Sequence, residues 1–178
     1  MIFAGGLIGA VPIQLGASGS LRLGPALGVK DVYVDPDGEP VDAGHGIVIG
    51  NIRMGYGHYR IAMAVASAAR AMGVTPYWFD LLSFDSPGAR LIHDLDYWYS
   101  LFSKVSQKSY WFNRCVWDPL TGKAYKRLEK NFAIMEMCRV LSDVYGALPK
   151  GIAFAGTHPW NAQAAVHAGL DRVINMVP

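Results

Sequence analysis

The stretch from Gly46 to Asp80 constrains the fold of this chain more than any other part of its sequence. Residues 47–52 form a short run of β-branched and apolar residues, which is typical of a buried parallel strand. After a glycine loop, apolar residues recur at helical spacing until Gly73, a residue that commonly ends a helix. Residues 75–80 then form a second strand that ends in an acid. A strand, a glycine loop, a helix and a strand in this order predict a βαβ unit, from which parallel sheets are built.

The alternation of strands and helices continues after this unit. Residues 85–117 are predicted to be helical in pieces, and residues 119–145 to form one long amphipathic helix. A third strand at 151–155, a short helix at 160–167 and a fourth strand at 172–177 follow. The sequence therefore predicts an α/β fold, namely a Rossmann-like doubly wound parallel sheet with helices on both faces.

The chain divides into two predicted parts. Residues 45–178 belong to the Rossmann-like domain, and residues 1–44 form an N-terminal extension with little periodicity. Within the extension, residues 31–34 and 39–41 flank the sequence Asp-Pro-Asp-Gly. Because these residue types favour tight turns, the pattern predicts a small hairpin.

Composition excludes several classes of protein. An apolar content of 52% over 178 residues is enough for a core, so wholesale disorder is excluded. A run of about 18 apolar residues is absent, so a spanning helix is not expected. The net charge of +2 does not favour nucleic acid as a partner. Cys115 and Cys138 lack metal-ligand spacing, which predicts no metal site and two buried thiols. The first basic residue is Arg22, so a signal peptide is not expected and the protein is predicted to be cytoplasmic.

The loop Gly55-Tyr56-Gly57-His58 follows the first strand of the βαβ unit. Glycines allow a tight turn and a close approach of a ligand, and the helix N-terminus behind them favours anions such as phosphate. His58 is the candidate general base, because a neutral imidazole can take a proton from a hydroxyl nucleophile. Arg60 stands where a dinucleotide fingerprint needs a third glycine, and Asp80 stands about where a ribose-binding acid would lie. A dinucleotide site therefore stays open as an alternative, as does a tight turn without any ligand.

The later loop Thr157-His158-Pro159 begins the short helix in a similar way. Thr157 is the predicted N-cap and Pro159 a residue of the first turn. Ligands of doubly wound sheets bind at the carboxyl ends of the strands, so His58, Asp80 and His158 are expected around one crevice. Taken alone, either histidine could be structural. The candidate substrate-binding residues are Gly55, Tyr56, Gly57, Tyr59, Asp80, Thr157, His158, Pro159 and Asn161.

The stretch from residue 97 to residue 130 is rich in aromatic side chains and carries seven basic residues against two acidic ones. Aromatic side chains anchor at the headgroup level of a membrane, and basic side chains attract anionic lipid. This composition predicts peripheral docking on a membrane. The alternative is that the aromatic residues lie in the core and the basic residues in solvent. The candidate membrane-facing residues are Trp98, Tyr99, Phe102, Lys104, Lys108, Trp111 and Arg114.

Four segments together carry a resemblance to a known family: IVIGNIRMGYGHYRIAMAVASAARAMG, YWFDLL, AFAGTHPWNAQAAVHAG and RVINMVP. In their order they resemble the N-terminal domain of GT-B glycosyltransferases of the monogalactosyldiacylglycerol synthase type. The peptidoglycan N-acetylglucosaminyltransferase is less similar. The resemblance covers roughly residues 46–178, and the family's loop carries more glycines, which Tyr56 interrupts here.

The resemblance implies a hexosyltransferase that moves a sugar from a nucleotide-sugar donor to a lipid-like hydroxyl acceptor, without a further cofactor. The N-terminal domain of this family binds the acceptor and attaches to the membrane. The family's loop residues carry over to Gly55, Gly57 and His58, and its His-Pro loop to His158 and Pro159. A second domain holds most of the donor, so a C-terminal domain or a partner chain is expected. The alternatives are a non-catalytic lipid- or partner-binding module and a nucleotide-sugar epimerase or dinucleotide-binding enzyme.

Overall fold

Six strands form one sheet in the order β1-β2-β4-β3-β5-β6. The structure is a computed structural model that describes residues 13–53, 56–119, 139 and 142–176. All neighbouring strands in the sheet are parallel except β1 and β2, which pair antiparallel. The predicted α/β class is therefore confirmed. The strands are β1 (Leu15–Gly19), β2 (Lys30–Val34), β3 (Gly46–Asn51), β4 (Thr75–Asp80), β5 (Ala153–Gly156) and β6 (Val173–Asn175).

Helices connect these strands along the described parts of the chain. Serine side chains cap two of them, because Ser86 accepts a hydrogen bond from the Ala89 N–H and Ser109 one from the Phe112 N–H. The region from residue 85 to residue 117 is helical in pieces, as predicted. The helices are α1 (Gly24–Leu27), α2 (Tyr56–Ala71), α3 (Pro87–Lys108), α4 (Tyr110–Phe112) and α5 (Pro159–His167), with a π-helical turn at Asn113–Trp117 and 3₁₀ turns at Leu81–Ser83 and Tyr145–Ala147.

Apolar residues cover both faces of the sheet, because successive residues of a strand point to opposite sides. On one face Ile49 and Trp78 pack with Ala62 and Ala66 of α2. The larger core lies on the other face, where α3, α5 and the turn at Tyr145–Ala147 contribute side chains. Its largest buried members are Tyr77, Phe79, Tyr145 and Phe154. Helices on both faces hold β3 in the centre of the sheet.

The ring of Phe154 lies directly against Gly50 of β3. A Cβ atom added to Gly50 would lie 2.3 Å from the Phe154 ring, and both residues are buried. We expect Gly50→Ala to lower the free energy of unfolding by about 1–3 kcal/mol, since the ring must shift within a close-packed core. Urea unfolding checks this value. Gly151→Ala is the control, because a Cβ there meets no atom within 4 Å, and an equal loss in both variants would contradict the prediction.

The prediction of a hairpin between residues 31–34 and 39–41 is wrong, because these two segments pair with other strands. The turn itself forms, with the Asp37 N–H donating to the Asp35 carboxylate at 2.9 Å. However, β2 pairs with β1 on one edge and with β4 on the other, so both of its edges are already used. The chain after the turn therefore passes to the free edge of β1, where Glu39 forms a bridge with Ala17. Because β1 and β2 belong to the same sheet as β3–β6, the predicted boundary at residue 44 falls within one sheet.

Two further predictions concern the segment after α3. Cys115 is exposed, so the prediction of a buried thiol there is wrong. The π-helical turn that carries it packs against α3 and α4, while its outer side is left in solvent. Cys138 lies outside the described residues, as does most of the helix predicted over 119–145.

Candidate functional site

The strand order of the sheet reverses at β3. After β3 the chain continues into β4 on one side of it and later returns as β5 on the other. In doubly wound sheets the carboxyl ends of such strands form the binding crevice. His58 lies in the first turn of α2, after β3, and His158 directly follows β5. Their rings are in contact edge to face, with 4.7 Å between the centroids. The structure thus brings together two histidines that are 100 positions apart in the chain.

His58 is oriented by the loop that follows β5. Its Nδ1 atom lies within hydrogen-bond distance of the Thr157 carbonyl oxygen. A carbonyl oxygen can only accept, so Nδ1 carries the proton and donates it. In the neutral ring, Nε2 is therefore unprotonated and holds a free lone pair. The half-buried His58 ring consequently carries an unprotonated nitrogen near the carboxyl ends of β3 and β5.

His158 has the opposite tautomer. Its Nδ1 atom accepts a hydrogen bond from the Trp160 backbone N–H at 3.2 Å, so in the neutral ring the proton is on Nε2. Burial, followed by the charge that His58 can carry, lowers the pKa of His158 to about 4. His158 is therefore neutral near pH 7 and presents an N–H donor.

Thr157 was predicted to cap α5, but the structure assigns that cap to His158. The threonine Oγ1 instead donates to the Gly50 carbonyl oxygen at 3.1 Å, and its N–H donates to the same oxygen at 3.0 Å. Because the Thr157 hydroxyl donates to Gly50, it does not cap the helix. The side chain of the next residue, His158, accepts the Trp160 N–H instead. Pro159 is the first residue of α5, as predicted. The fully buried Thr157 thus ties the loop after β5 to β3 and sets the position of the carbonyl that orients His58.

The glycine loop is described only in part. Gly55 and the side chain of Tyr56 lie outside the described part of the structure. Gly57 is exposed within the first turn of α2, and a Cβ atom there would meet nothing within 4 Å. The surface above this turn is therefore open to a ligand among the described residues.

Asp80 ends β4, on the other side of β3 from the histidine pair. Its carboxylate forms an ion pair with Arg53 at 2.6 Å and accepts a hydrogen bond from the Leu82 N–H at 3.1 Å. Burial raises the pKa of Asp80, while the Arg53 charge acts against this. Tyr59 of α2 packs edge to face on Trp78, two residues before Asp80, with 5.5 Å between the ring centroids.

Two buried asparagines lie near the crevice. The Asn161 carbonyl oxygen accepts a hydrogen bond from the Tyr145 hydroxyl at 2.6 Å, while its Nδ2 atom has no partner among the described residues. Asn51, the last residue of β3, has no partner for either side-chain atom within that part of the chain. Sequence reasoning missed Asn51, although a lone amide within an apolar strand was the available signal. Clusters of three His, Cys, Asp or Glu side chains suited to a metal are absent among residues 13–53, 56–119, 139 and 142–176.

The aromatic residues of α3 and α4 lie largely on the surface. Trp98 is 51% and Trp111 68% exposed, so the alternative that placed these aromatics in the core is wrong for both. Tyr99 is exposed as well, while Phe102 is half-buried between Trp98 and Phe112. The basic residues Lys104, Lys108 and Arg114 are exposed on the same segment, whereas those from residue 120 to 138 lie outside the described residues. No helix in the described part of the chain has the length and apolarity to cross a membrane.

Comparison with known proteins places the chain in a family. A family described as a domain of unknown function, DUF6937, matches residues 11–178. No curated protein matches the chain, and no solved structure does. The family match includes all six strands and both histidine loops. The chain therefore belongs to the DUF6937 family.

Proposed function

We propose that this chain is a catalytic domain that transfers a sugar from a nucleotide-sugar donor to a hydroxyl group of a lipid-like acceptor at a membrane surface. The observation that carries the proposal is the orientation of His58 by the Thr157 carbonyl oxygen, beside the neutral His158. One ring presents a proton acceptor and the other a proton donor at the same crevice. Transfer to a hydroxyl group uses the acceptor to remove the hydroxyl proton, and the donor can stabilise an oxygen that gains negative charge. The motif order that resembles GT-B glycosyltransferases selects sugar as the transferred group.

In the proposed step, the sugar moves from the diphosphate of the donor to the oxygen of the acceptor. The acceptor hydroxyl gives its proton to His58 Nε2, and its oxygen forms a bond to the anomeric carbon of the donor. The bond between that carbon and the diphosphate oxygen breaks, and the diphosphate leaves with the electron pair. The hydrogen bond to Thr157 stabilises the imidazolium formed at His58. The Nε2–H group of His158 donates to a substrate oxygen that gains charge, and the N-terminus of α2 favours the diphosphate.

A dinucleotide-binding enzyme has less support than glycosyl transfer. Such a site needs a free carboxylate at the end of β4 to bind ribose hydroxyls. Here Arg53 and the Leu82 N–H already contact the two oxygens of Asp80. Arg60 also replaces the third glycine of the fingerprint.

A transfer assay tests the proposal. The full-length protein is incubated with labelled nucleotide-sugars, one at a time, and with lipids extracted from membranes. Label that appears in the lipid fraction supports the proposal. Absence of transfer from every donor, with lipid still bound, would overturn it in favour of a non-catalytic lipid-binding module.

The exposed aromatic and basic residues of α3 and α4 support the membrane part of the proposal. Trp98 and Trp111 offer exposed indole rings, which settle at the headgroup level of a bilayer. Lys104, Lys108 and Arg114 lie on the same segment and attract anionic lipid. An apolar surface of this kind costs free energy in water, and docking on a membrane removes the cost.

Neutralising two of these charges should weaken membrane binding. Each basic residue near an anionic surface contributes about 1 kcal/mol, so we expect Lys104→Gln with Lys108→Gln to lower partitioning by roughly thirtyfold. Flotation with vesicles that contain phosphatidylserine measures this change. The variant Lys150→Gln with Arg172→Gln removes two exposed charges outside this segment and serves as the control. Equal binding by both double variants would contradict the proposed docking surface.

A further inference from the structure

A second polar site lies across β3 from the histidine pair. It is a pocket of about 300 Å³ at the carboxyl ends of β2 and β4, and we call it the Asp80 pocket. Part of its wall comes from residues 20–33, which precede the region covered by the resemblance to glycosyltransferases. Its volume is at the lower end of the range for small-molecule sites. The side chains that define its chemistry are Asp31, Tyr33, Arg53, Tyr59, Trp78 and Asp80.

The charges of the Asp80 pocket balance. Arg22 and Arg53 face the pocket together with Asp31 and Asp80, so two positive groups stand against two negative ones. The two carboxyl groups would repel a bound anion, and the two guanidinium groups would repel a bound cation. A neutral ligand with hydroxyl groups avoids both conflicts, because each hydroxyl both donates and accepts. The Asp31 carboxylate can bind two adjacent hydroxyls through its two oxygens, whereas both oxygens of Asp80 are already contacted by Arg53 and the Leu82 N–H.

Aromatic side chains form the other wall of the pocket. Tyr59 and Tyr33 are half-buried, and Tyr59 is held in place by its contact with Trp78. Such rings present an apolar face beside a polar hydroxyl group. The carbon side of a sugar ring fits an apolar face, while its hydroxyls reach the charged groups. The walls therefore match a ligand with one apolar side and several hydroxyls.

Asn51 provides a separate observation one strand away from Asp80, although it is not one of the residues that line the pocket. In the sheet register it lies opposite Asp80, and it lies on the strand two residues after Ile49, which faces α2. It is fully buried, and its Oδ1 and Nδ2 atoms both lack partners among the described residues. A buried amide without partners is costly, and a polar ligand or a bound water removes the cost. The unpartnered amide thus marks an unmet hydrogen-bonding requirement in the strand next to Asp80.

We propose that the Asp80 pocket binds a neutral vicinal diol, such as a sugar ring or a glycerol unit, that forms the head of the acceptor. Two strand spacings separate the ends of β4 and β5, so the pocket and the histidine pair are roughly 10 Å apart. Tyr59 and His58 are neighbours in the first turn of α2, one at each site. A head group held in the pocket therefore lies within reach of the base. This role as acceptor site rests on the proposed function, whereas binding of the diol does not.

Binding of simple glycosides tests the pocket directly. Methyl β-galactoside and methyl β-glucoside are titrated into the full chain, and binding is followed by NMR chemical shifts and by tryptophan fluorescence. We expect saturable binding in the millimolar range. A hydrogen bond to a charged group contributes about 1.5–3 kcal/mol, so Arg53→Gln and Asp31→Asn should each raise the Kd by about tenfold or more. Arg90→Gln breaks an exposed ion pair with Asp85 and should leave the Kd unchanged.

Each outcome of the titration supports or overturns the proposal. Absence of saturable binding to the wild-type chain would overturn it, and so would equal Kd values in folded Arg53→Gln, Asp31→Asn and wild-type proteins. Competition by inorganic phosphate for the same residues would overturn the assignment of a neutral ligand. Glycoside binding without sugar transfer from any donor would retain the pocket and reject the proposed function. Sugar transfer without glycoside binding would retain the proposed function and reject the pocket as a diol-binding site.

Discussion

His58→Gln should transfer sugar about 10²- to 10⁴-fold more slowly than the wild-type protein, which is the usual contribution of a positioned general base. The glutamine amide can still donate a hydrogen bond to the Thr157 carbonyl oxygen, so the loop after β5 keeps its partner. It cannot accept the proton of the acceptor hydroxyl. The variant thus removes the proton transfer and preserves the local contact.

Steady-state kinetics of the transfer assay measure this loss. We expect kcat to fall while KM for the acceptor stays close to the wild-type value, because the base acts in the transition state. His167→Gln is the matched control, since this histidine is exposed in the last turn of α5. Turnover by His58→Gln within a few-fold of the control would remove His58 from the role of base, and another group of the crevice would then have to accept the proton.

His158 should make the folded protein sensitive to acid. Its pKa is about 4 in the folded state and about 6.5 in the unfolded chain. Between these pH values the imidazole of His158 is protonated in the unfolded chain but neutral in the folded protein. The free energy of unfolding therefore falls as the pH decreases from about 6.5 to 4. The difference of about 2.5 pKa units corresponds to about 3 kcal/mol across this window.

The variant His158→Asn isolates this contribution. Asparagine does not titrate, and its side-chain oxygen can accept the Trp160 N–H as a helix cap. Urea unfolding between about pH 7 and pH 4 should therefore show a loss about 3 kcal/mol smaller in the variant than in the wild-type protein. Burial raises the pKa of Asp80 and Asp143, which acts in the opposite direction as the pH falls. Both acids are present in the two proteins, so the difference between them isolates His158.

His167→Asn again provides the comparison, since it replaces an exposed histidine in the last turn of the same helix. It should follow the wild-type dependence of stability on pH. If His158→Asn follows the same curve as His167→Asn, the pKa of His158 is not lowered in the folded protein. That result would contradict the role of burial in keeping this ring neutral as the pH falls below about 6.5.

Local patterns carried much of the prediction. The apolar run of β3, the helical spacing of α2 and the acid at the end of β4 depend on near neighbours in the chain, and the structure contains all three elements. The same holds for β5 and the proline at the start of α5. Residues within one turn or one strand largely select these elements, because backbone preference and side-chain period act over short distances. The loops after β3 and β5 were predicted as candidate binding sites for the same reason, because their glycine, histidine and proline residues are neighbours in the sequence.

Contacts between distant segments decided what the local patterns could not. The turn at residues 35–38 is correct, but its hairpin is wrong because β1 and β4 take both edges of β2. Thr157 has the residue type of a cap, yet the carbonyl of Gly50 takes its hydroxyl. The Arg53–Asp80 ion pair and the exposure of Trp98 depend on which parts of the folded chain pack together. Residue type alone does not predict that packing.

The sequence by itself determined that this chain alternates strands with helices and that a histidine follows each of two parallel strands. Only the tertiary structure decided that β3 and β5 are neighbours, so that His58 meets His158 and the Thr157 carbonyl oxygen. The Thr157 carbonyl oxygen assigns the tautomer of His58, the nearby Trp160 N–H assigns that of His158, and burial keeps His158 neutral. The physical reason is that the tautomer of His58 depends on a carbonyl oxygen 99 positions away in the chain, and the pKa of His158 depends on burial in the folded protein.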